Sequence, residues 1–442
     1  MKDIKQILEK LKIASLNAMQ KQTAKALLNT DKDIVVLSAT GSGKTFAYML
    51  PLVQLLDEKS DEVQAVIIVP GRELALQSHE VFKSLGCGLR SMPLYGGRAT
   101  MDEHRQIRNI LPQVIFVTPG RLNDHLAKGN VSSDHIKYLV IDEFDKCLQM
   151  GFFKEMKDAV DNMPFIKRRI LLSATQAEQI PSFVHLSNAQ CINCLKEEPI
   201  PNKISLYKVD SPQKDKLDTL VKLLCSFGDA STIVFLNYRD SVERVSSYLA
   251  DKGFTVSSFH GGLDQRQRES AIYRFSNGSA NVLVSTDLAS RGLDIPDVDN
   301  IIHYHLPVGE EEFVHRVGRT GRWNASGRAF ILLGPTEHLP EYIKHTPEVY
   351  TIPDDLSQPA LPKMVTLYIG KGKKEKISKG DIVGFLCKTG GITNDKIGKI
   401  DVNERYTYVA VNRDCWQKVI KNTRGQKLKG IKTIVELVSA EQ

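Results

Sequence analysis

The stretch IVVLSATGSGKTFAYMLPLV, residues 34–53, decides how the rest of the chain is read. Four β-favouring residues, Ile34 to Leu37, run into the turn Ser38, Ala39, Thr40, Gly41, Ser42 and Gly43, and a helix-forming run starts at Lys44. In such a strand, turn and helix unit the backbone N–H groups and the helix N-terminus converge on phosphate oxygens. Lys44 is then placed to reach the β and γ phosphates of a nucleoside triphosphate, and Thr45 to bind Mg²⁺. Gly41 and Gly43 allow the close backbone approach. The usual pattern of this turn opens on a glycine, where this chain has Ser38.

Outward from this unit, short apolar runs recur with helical stretches between them. They are IVVL at 34, VIIV at 66, VIFV at 114, YLVI at 138 and RILL at 169, and the pattern restarts with IVFL at 233, VSSF at 256, NVLV at 281, NIIHY at 300 and AFILL at 329. Strands alternating with helices imply parallel sheets covered on both faces, so an α/β fold with two lobes is expected. Prolines 199, 201 and 212 mark 195–212 as a linker, and Pro347, Pro353, Pro359 and Pro362 mark a second break. The resulting domains are 1–196, 213–345 and 363–442.

The acidic run DEFD, 142–145, directly follows YLVI. Ligands of parallel sheets bind beyond the carboxyl ends of strands, so this run and the phosphate loop point into one crevice. Asp142 is suited to hold Mg²⁺, and Glu143 to orient and deprotonate an attacking water. The second lobe has no phosphate loop, yet it carries TDLASRGLD (286–294) and HRVGRTGR (315–322). Arginines 316, 319 and 322 between glycines are read as a rigid, exposed cationic set for bidentate phosphate contacts. They would supply the charge that the first lobe lacks for a developing γ-phosphoryl group.

With 442 residues, 42% hydrophobic and 25% charged, the composition is that of a globular protein of two or three domains. No run of about 18 apolar residues occurs and the N-terminus is charged, so a cytoplasmic protein without membrane contact is expected. Seven scattered cysteines fit reduced thiols, and the CxxC of Cys191 and Cys194 reads as packing in the linker. The net charge of +7 is uneven. From Lys363 onward there are 17 Lys and Arg against 8 Asp and Glu, a balance of +9, which leaves the preceding residues at −2. Such concentration favours a polyanionic partner for the last module.

In order, LNAMQKQ (16–22), ATGSGKT (39–45), PGRELA (70–75), Gly96 and Gly97, TPGR (118–121), DEFD (142–145), SAT (173–175), IVFLN (233–237), QRQR (265–268), STDLASRGLD (285–294) and HRVGRTGR (315–322) resemble the motifs of the DEAD-box RNA helicases over nearly all of residues 13–345. The resemblance implies two tandem RecA-like domains, with ATP as the nucleotide. By it Gln20 reads the adenine edge, Asp294 contacts the nucleotide, and Arg319 and Arg322 reach the γ-phosphate. Asp145, Ser173, Thr175 and His315 would couple hydrolysis to lobe movement. RNA would lie on Arg72, Gly97, Thr118 and Arg121 in the first lobe and on Gly262, Gln265, Arg268 and Thr286 in the second. Backbone contact of this kind fixes register without reading sequence. The family's mechanism, local strand separation of short duplexes by a monomer, is expected with RNA and not DNA.

The sequence departs from the family at Phe144 and Gly71, and YHLP replaces the usual YDLP, leaving His305 as a structural residue. No aromatic occurs before Phe46, so the ring that normally stacks on adenine ahead of Gln20 is missing.

Residues 364–442 read as strand, helix, strand, strand, helix, strand, the order of RNA-recognition modules. They resemble the C-terminal RNA-binding domain of the DbpA group, which implies tethering to structured large-subunit ribosomal RNA and a part in ribosome assembly. Against the usual signature of such a sheet Tyr406, Tyr408 and Val409 fall in place, while Glu404 and Arg405 stand where its leading basic residue and glycine would be, so stacking of bases on the sheet is one reading and general RNA affinity the other. Two other readings remain open: an ATP-gated RNA clamp with slow turnover, and a DNA helicase.

Overall fold

The computed structural model describes residues 4–38, 42–97, 100–175, 180–195, 204–287, 298–320, 327–343 and 346–438. The chain divides into two compact units, one of residues 1–199 with 292–294 and one of 200–291 with 295–442.

In the first unit lie β1 (Ile34–Leu37), β2 (Ala65–Ile68), β3 (Ser91–Leu94), β4 (Val114–Val117), β5 (Tyr138–Ile141), β6 (Arg168–Ser173) and β7 (Gln190–Asn193). They form one sheet in the order β3-β4-β2-β5-β6-β1-β7, parallel throughout. Alternate residues serve opposite faces: Ile34 and Val36 enter one core, Val35 and Leu37 the other. A sheet buried on both faces needs unbroken apolar runs, which is why these strands were legible as such.

The second unit repeats the plan. Its strands β8 (Ile204–Asp210), β9 (Thr232–Phe235), β10 (Val256–Phe259), β11 (Val282–Ser285), β12 (Asn300–His303), β13 (Gly327–Leu333) and β14 (Glu348–Val349) pair in the order β10-β11-β9-β12-β13-β8-β14, again all parallel. The permutation is that of the first sheet.

Two expectations change. The supposed linker 195–212 contains β8, which pairs with β13 over seven residues, so the second sheet begins ahead of residue 213. Pro201 and Pro212 bracket this strand and do not interrupt it. Similarly β14 carries the sheet past residue 345, anchored by Tyr350 packed edge-on against Phe330. The cysteine pair also leaves the linker. Cys191 lies exposed on the edge strand β7, and the Cys194 N–H donates to the Leu37 carbonyl at 2.7 Å. All seven cysteines are free thiols.

The same unit holds a small antiparallel sheet of β15 (Met364–Ile369), β16 (Ile397–Val402), β17 (Thr407–Asn412) and β20 (Val435–Leu437), in the order β16-β17-β15-β20. Helices Lys379–Lys388 and Trp416–Thr423 cover one face, and the minor ladder β18 (Lys427–Leu428) and β19 (Ile431–Lys432) precedes the last strand. Two RecA-like parallel sheets followed by an α+β module with RNA-recognition topology are therefore the architecture. Among the described residues no helix is long and apolar enough to cross a membrane.

Candidate nucleotide and RNA sites

The first sheet sorts the motifs along its carboxyl edge. The phosphate loop follows β1, DEFD follows β5 and SAT ends β6, and these three strands are neighbours. Of the loop, Ala39, Thr40 and Gly41 lie outside the described residues. Ser38 is buried, its N–H donating to the Ser173 carbonyl at 3.0 Å, while the Lys44 ammonium donates to the Ser38 carbonyl at 2.5 Å. Gly43 caps helix Lys44–Leu55 at φ +86°, and a Cβ there would meet Gln20 Nε2 at 2.5 Å. Only glycine suits both demands.

Gln20 comes from helix Ala18–Asn29, whose start is a reciprocal cap between Asn17 and Gln20. From there Gln20 Nε2 donates to the Gly43 carbonyl at 3.1 Å and Asn17 Nδ2 to the Ser42 carbonyl at 2.9 Å. Gln20 is thus beside the loop, as a residue for the base would be. Asn17 is a loop-positioning residue that the sequence reading assigned no role, although an Asn three residues before a Gln is a legible capping signal.

Asp142 stands at the end of β5, buried, with its carboxyl accepting the Glu143 N–H at 3.0 Å. Burial pushes its pKa up to about 6, against the pull of Lys44 and the Glu143 N–H. The Tyr48 phenol, fully buried nearby, is held well above its ordinary value by burial and by Asp142. Glu143 adopts φ +50° at the start of helix Phe144–Gln149. A non-glycine residue in this left-handed region stores strain of about 1–3 kcal/mol, which the surrounding structure must offset. Asp145 links the two motifs: its Oδ2 accepts from Thr175 Oγ1 at 3.0 Å and from the Ala174 N–H at 3.3 Å. Ser173 Oγ in turn donates to the Thr175 carbonyl at 2.6 Å.

The residues read as RNA contacts follow β2, β3 and β4, the other flank of the edge. Gly97 has φ +90°, and a Cβ there would lie 3.0 Å from Arg72 Nη1, so these two candidates meet. Thr118 caps helix Pro119–Ala127. Arg121, from the same helix, is held by Glu103 (3.0 Å), Thr100 Oγ1 (2.7 Å) and the Tyr95 carbonyl (3.3 Å). Glu103 is buried and shared with buried His125 at 3.0 Å. Glu103 was not foreseen, because its helix is strongly polar and nothing in sequence marks one acid in it as buried.

In the second sheet Gly262, Gln265 and Arg268 follow β10, and Thr286 follows its neighbour β11. The Gly262 N–H donates to His260 Nδ1 at 3.2 Å, Arg268 Nη2 to the Gly261 carbonyl at 2.7 Å, and the Thr286 N–H to the Phe259 carbonyl at 3.2 Å. Gln265 opens helix Gln265–Ser276, and its Nε2 donates to Glu269 at 2.9 Å. Beside Gly261 and Gly262 lie Tyr238 and Arg239, whose side chains the sequence reading passed over; Tyr238 is exposed. An aromatic followed by an arginine directly after the apolar run IVFLN was the available signal.

The arginines require a correction. Arg316 is no exposed phosphate ligand: it is fully buried and grips Asp287 with two hydrogen bonds of 2.5 and 2.8 Å. It also donates to the His305 carbonyl at 2.7 Å and to Asn237 Oδ1 at 2.8 Å. Arg319 is buried as well, 3% exposed. The glycine-flanked sequence suggested solvent, but Arg316 falls on the inward side of helix Glu310–Val317. His315 on that helix is buried 3.4 Å from Glu311. Arg322 and Asp294 lie outside the described residues. His305 accepts the Asn237 N–H at 3.2 Å through Nδ1 and packs in the wall, a structural part. Arg316→Met should therefore destabilise the second unit by about 2–3 kcal/mol, because it removes charge-assisted hydrogen bonds to Asp287 and leaves the Asn237 amide oxygen and the His305 carbonyl without this donor. Urea unfolding of the full chain measures it.

The tyrosines of the small sheet also differ from expectation. Tyr408 is buried against Tyr273 of helix Gln265–Ser276, the rings stacked at 5.3 Å. Tyr406 packs beside it, with its hydroxyl donating to Glu269 at 2.8 Å. The face that would stack bases is covered by this chain's own second lobe.

A first RecA-like sheet with a phosphate loop joined to an acidic motif, a second of identical plan and an RNA-recognition module together place the chain among the nucleotide-driven helicases. Model matches agree: DEAD/DEAH box helicase over residues 17–183, helicase conserved C-terminal domain over 215–324 and DbpA RNA binding domain over 366–437. The chain is 34% identical over 442 residues to the ATP-dependent RNA helicase DbpA of Escherichia coli (strain K12), covering 96% of this chain and 94% of that one. It is 30% identical over 459 residues to DbpA of Bacillus subtilis (strain 168), covering 97% and 96%. Among solved structures, S. cerevisiae Dbp5 bound to RNA and ADP BeF3 aligns with a TM-score of 0.67 at 26% identity, over 75% of this chain and 87% of that one. Mss116 bound to ssRNA and UDP-BeF gives a TM-score of 0.68 at 25% identity, over 76% and 73%. The chain belongs to the DEAD-box ATP-dependent RNA helicases, and its last module is a DbpA-type RNA-binding domain. It is an RNA-dependent ATPase that binds ATP and RNA.

Proposed function

We propose that this helicase spends ATP hydrolysis on local separation of short RNA duplexes, acting as a monomer in the cytoplasm. Its C-terminal module holds it on structured large-subunit ribosomal RNA during ribosome assembly. The observation that carries the coupling is the Asp145–Thr175 bond, which ties the acidic motif to the strand end beside the phosphate loop. In the chemical step the Glu143 carboxylate takes a proton from a water whose oxygen bonds to the γ-phosphorus, and the bond from that phosphorus to the β,γ-bridging oxygen breaks, releasing ADP. Gln20 selects the base; Ser38, Ala39, Thr40, Gly41, Ser42, Gly43 and Lys44 hold the phosphates; Asp294, Arg319 and Arg322 complete the nucleotide's surroundings. The eight RNA residues bind sugar and phosphate.

Mg²⁺ fits the residues present. Asp142 is a desolvated carboxyl whose pKa is raised to about 6, and Thr45 brings a hydroxyl to the helix start, a hard oxygen pair suited to this cation. When bound, Mg²⁺ would draw charge from the β and γ oxygens. Protons compete with it, so cation-dependent nucleotide binding should weaken by up to about tenfold per pH unit below 6 and be flat above 7. Asp142→Asn should remove the part of this pH dependence that exceeds protonation of the nucleotide's own terminal phosphate, as titration calorimetry between pH 5 and 8 can measure. The sign for folding is opposite. A raised carboxyl favours its neutral form, so its stabilising effect is full below the ordinary carboxylate value and is lost as pH rises through 6.

The tether is supported by the +9 balance after Lys363. Deleting residues 363–442 should preserve basal ATPase while abolishing any preference for large-subunit ribosomal RNA fragments over unrelated RNA of equal length. ATPase half-saturation on both RNAs, with DNA of the same sequence as a third arm, tests the proposal; an undiminished preference after deletion overturns the tether.

A further inference from the structure

Helix Gln265–Ser276 has two sides with different duties. One presents Gln265 and Arg268, the residues read as RNA contacts; the other receives the C-terminal module. The docking is specific. Tyr273 stacks on Tyr408, its hydroxyl donates to the Lys399 carbonyl, and the Tyr408 carbonyl lies 3.2 Å from the same hydroxyl. The Arg266 guanidinium lies over the Tyr368 ring at 5.2 Å, and Asn277 Nδ2 donates to Thr366 Oγ1 at 2.9 Å. Thr366 continues to Ser279 Oγ at 2.9 Å, and Lys399 Nζ donates to Ser276 Oγ at 3.1 Å. Between the two sides stands Glu269. One of its oxygens accepts from Gln265 Nε2 at 2.9 Å, the other from the Tyr406 hydroxyl at 2.8 Å.

We propose that Glu269 is a positioning residue through which the docked C-terminal module orients Gln265, so that the module tunes the second lobe's grip on RNA as well as tethering the enzyme. The proposal rests on the reading of Gln265 as an RNA contact. A carboxylate bonded at both oxygens loses its freedom to rotate, and Gln265, one helical turn earlier, is held with it. Burial and the Glu269 carboxylate keep the Tyr406 phenol well above its ordinary value, so it stays a protonated donor. The aromatic face that such modules offer to bases is here given to an intramolecular contact. RNA held by the module must therefore lie on its other surfaces.

The test uses the full chain and an unstructured RNA, measuring the RNA concentration for half-maximal ATPase together with kcat. Tyr406→Phe keeps the ring stack and removes only the hydroxyl. It should raise the half-saturating RNA concentration about two- to tenfold, with kcat and RNA-free turnover unchanged. Glu269→Ala should do the same and Glu269→Gln, which can still bridge both partners, should largely restore it. Added to Gln265→Ala, Tyr406→Phe should have no further effect, the signature of residues acting through one another. Additive effects, or an unchanged half-saturation in Tyr406→Phe where Gln265→Ala raises it, overturn the relay. If Gln265→Ala itself changes nothing, the RNA reading of Gln265 fails and the relay falls with it. Thermal unfolding of each variant shows that the fold is retained.

Discussion

Glu143→Gln is expected to lower RNA-stimulated ATP turnover by about 10²–10⁴-fold while leaving ATP and RNA binding nearly intact. The amide keeps the size of the side chain and loses only its ability to take a proton. Glu143 sits in the left-handed region directly after Asp142, whose backbone is fixed by the strand and whose carboxyl caps the Glu143 N–H. The substitution relieves none of this geometry, so the loss should fall on kcat and not on KM. Single-turnover hydrolysis with saturating RNA checks it. A variant that retains more than a tenth of the wild-type rate would remove Glu143 from the role of base.

Arg319→Ala is expected to cost about 10³–10⁵ in turnover, the range for an arginine that meets charge developing on a transferred phosphoryl group. Arg319→Lys should recover little, since a point charge does not reproduce a planar fork of donors. The contrast with its neighbour is what makes the experiment informative. Arg316 is committed to Asp287 inside the second unit, so its loss should appear in unfolding measurements. If Arg319→Ala instead lowers stability as Arg316→Met does and leaves kcat alone, Arg319 too is structural. Measuring kcat and urea midpoints on both variants separates these outcomes.

Most of the fold could be read because its strands are buried on both faces. Ile34–Leu37 or Val282–Ser285 offers four residues with no solvent face, and nothing but a central strand suits such a run. The strands that escaped lie toward the edges or are broken in character. Ser91–Leu94 includes Pro93 and buries only alternate residues, and Gln190–Asn193 buries Ile192 alone. Ile204–Asp210 was hidden by the prolines around it. The phosphate loop and DEFD were legible because their chemistry demands particular residues in sequence. Asn17, Glu103 and Glu269 were not, since each acts through a partner that only the folded chain brings near. Arg316 misled for the opposite reason: charges spaced by glycines suggest solvent, and a carboxylate partner 29 residues away is invisible in the string.

The two parallel sheets share one strand order, so their strands correspond one to one. In that correspondence β8 is the counterpart of β1, and the segment after it is the counterpart of the phosphate loop. There Lys216 leads into helix Leu217–Phe227 much as Lys44 leads into its own. Lys216, however, is buried, donating to the Leu332 carbonyl at 3.0 Å and paired with Glu337 at 2.6 Å. Its ammonium has become an internal strut that knots the end of the sheet. At equivalent places in the two sheets, one lysine opens the helix behind the phosphate loop and the other holds strand β13 to Glu337.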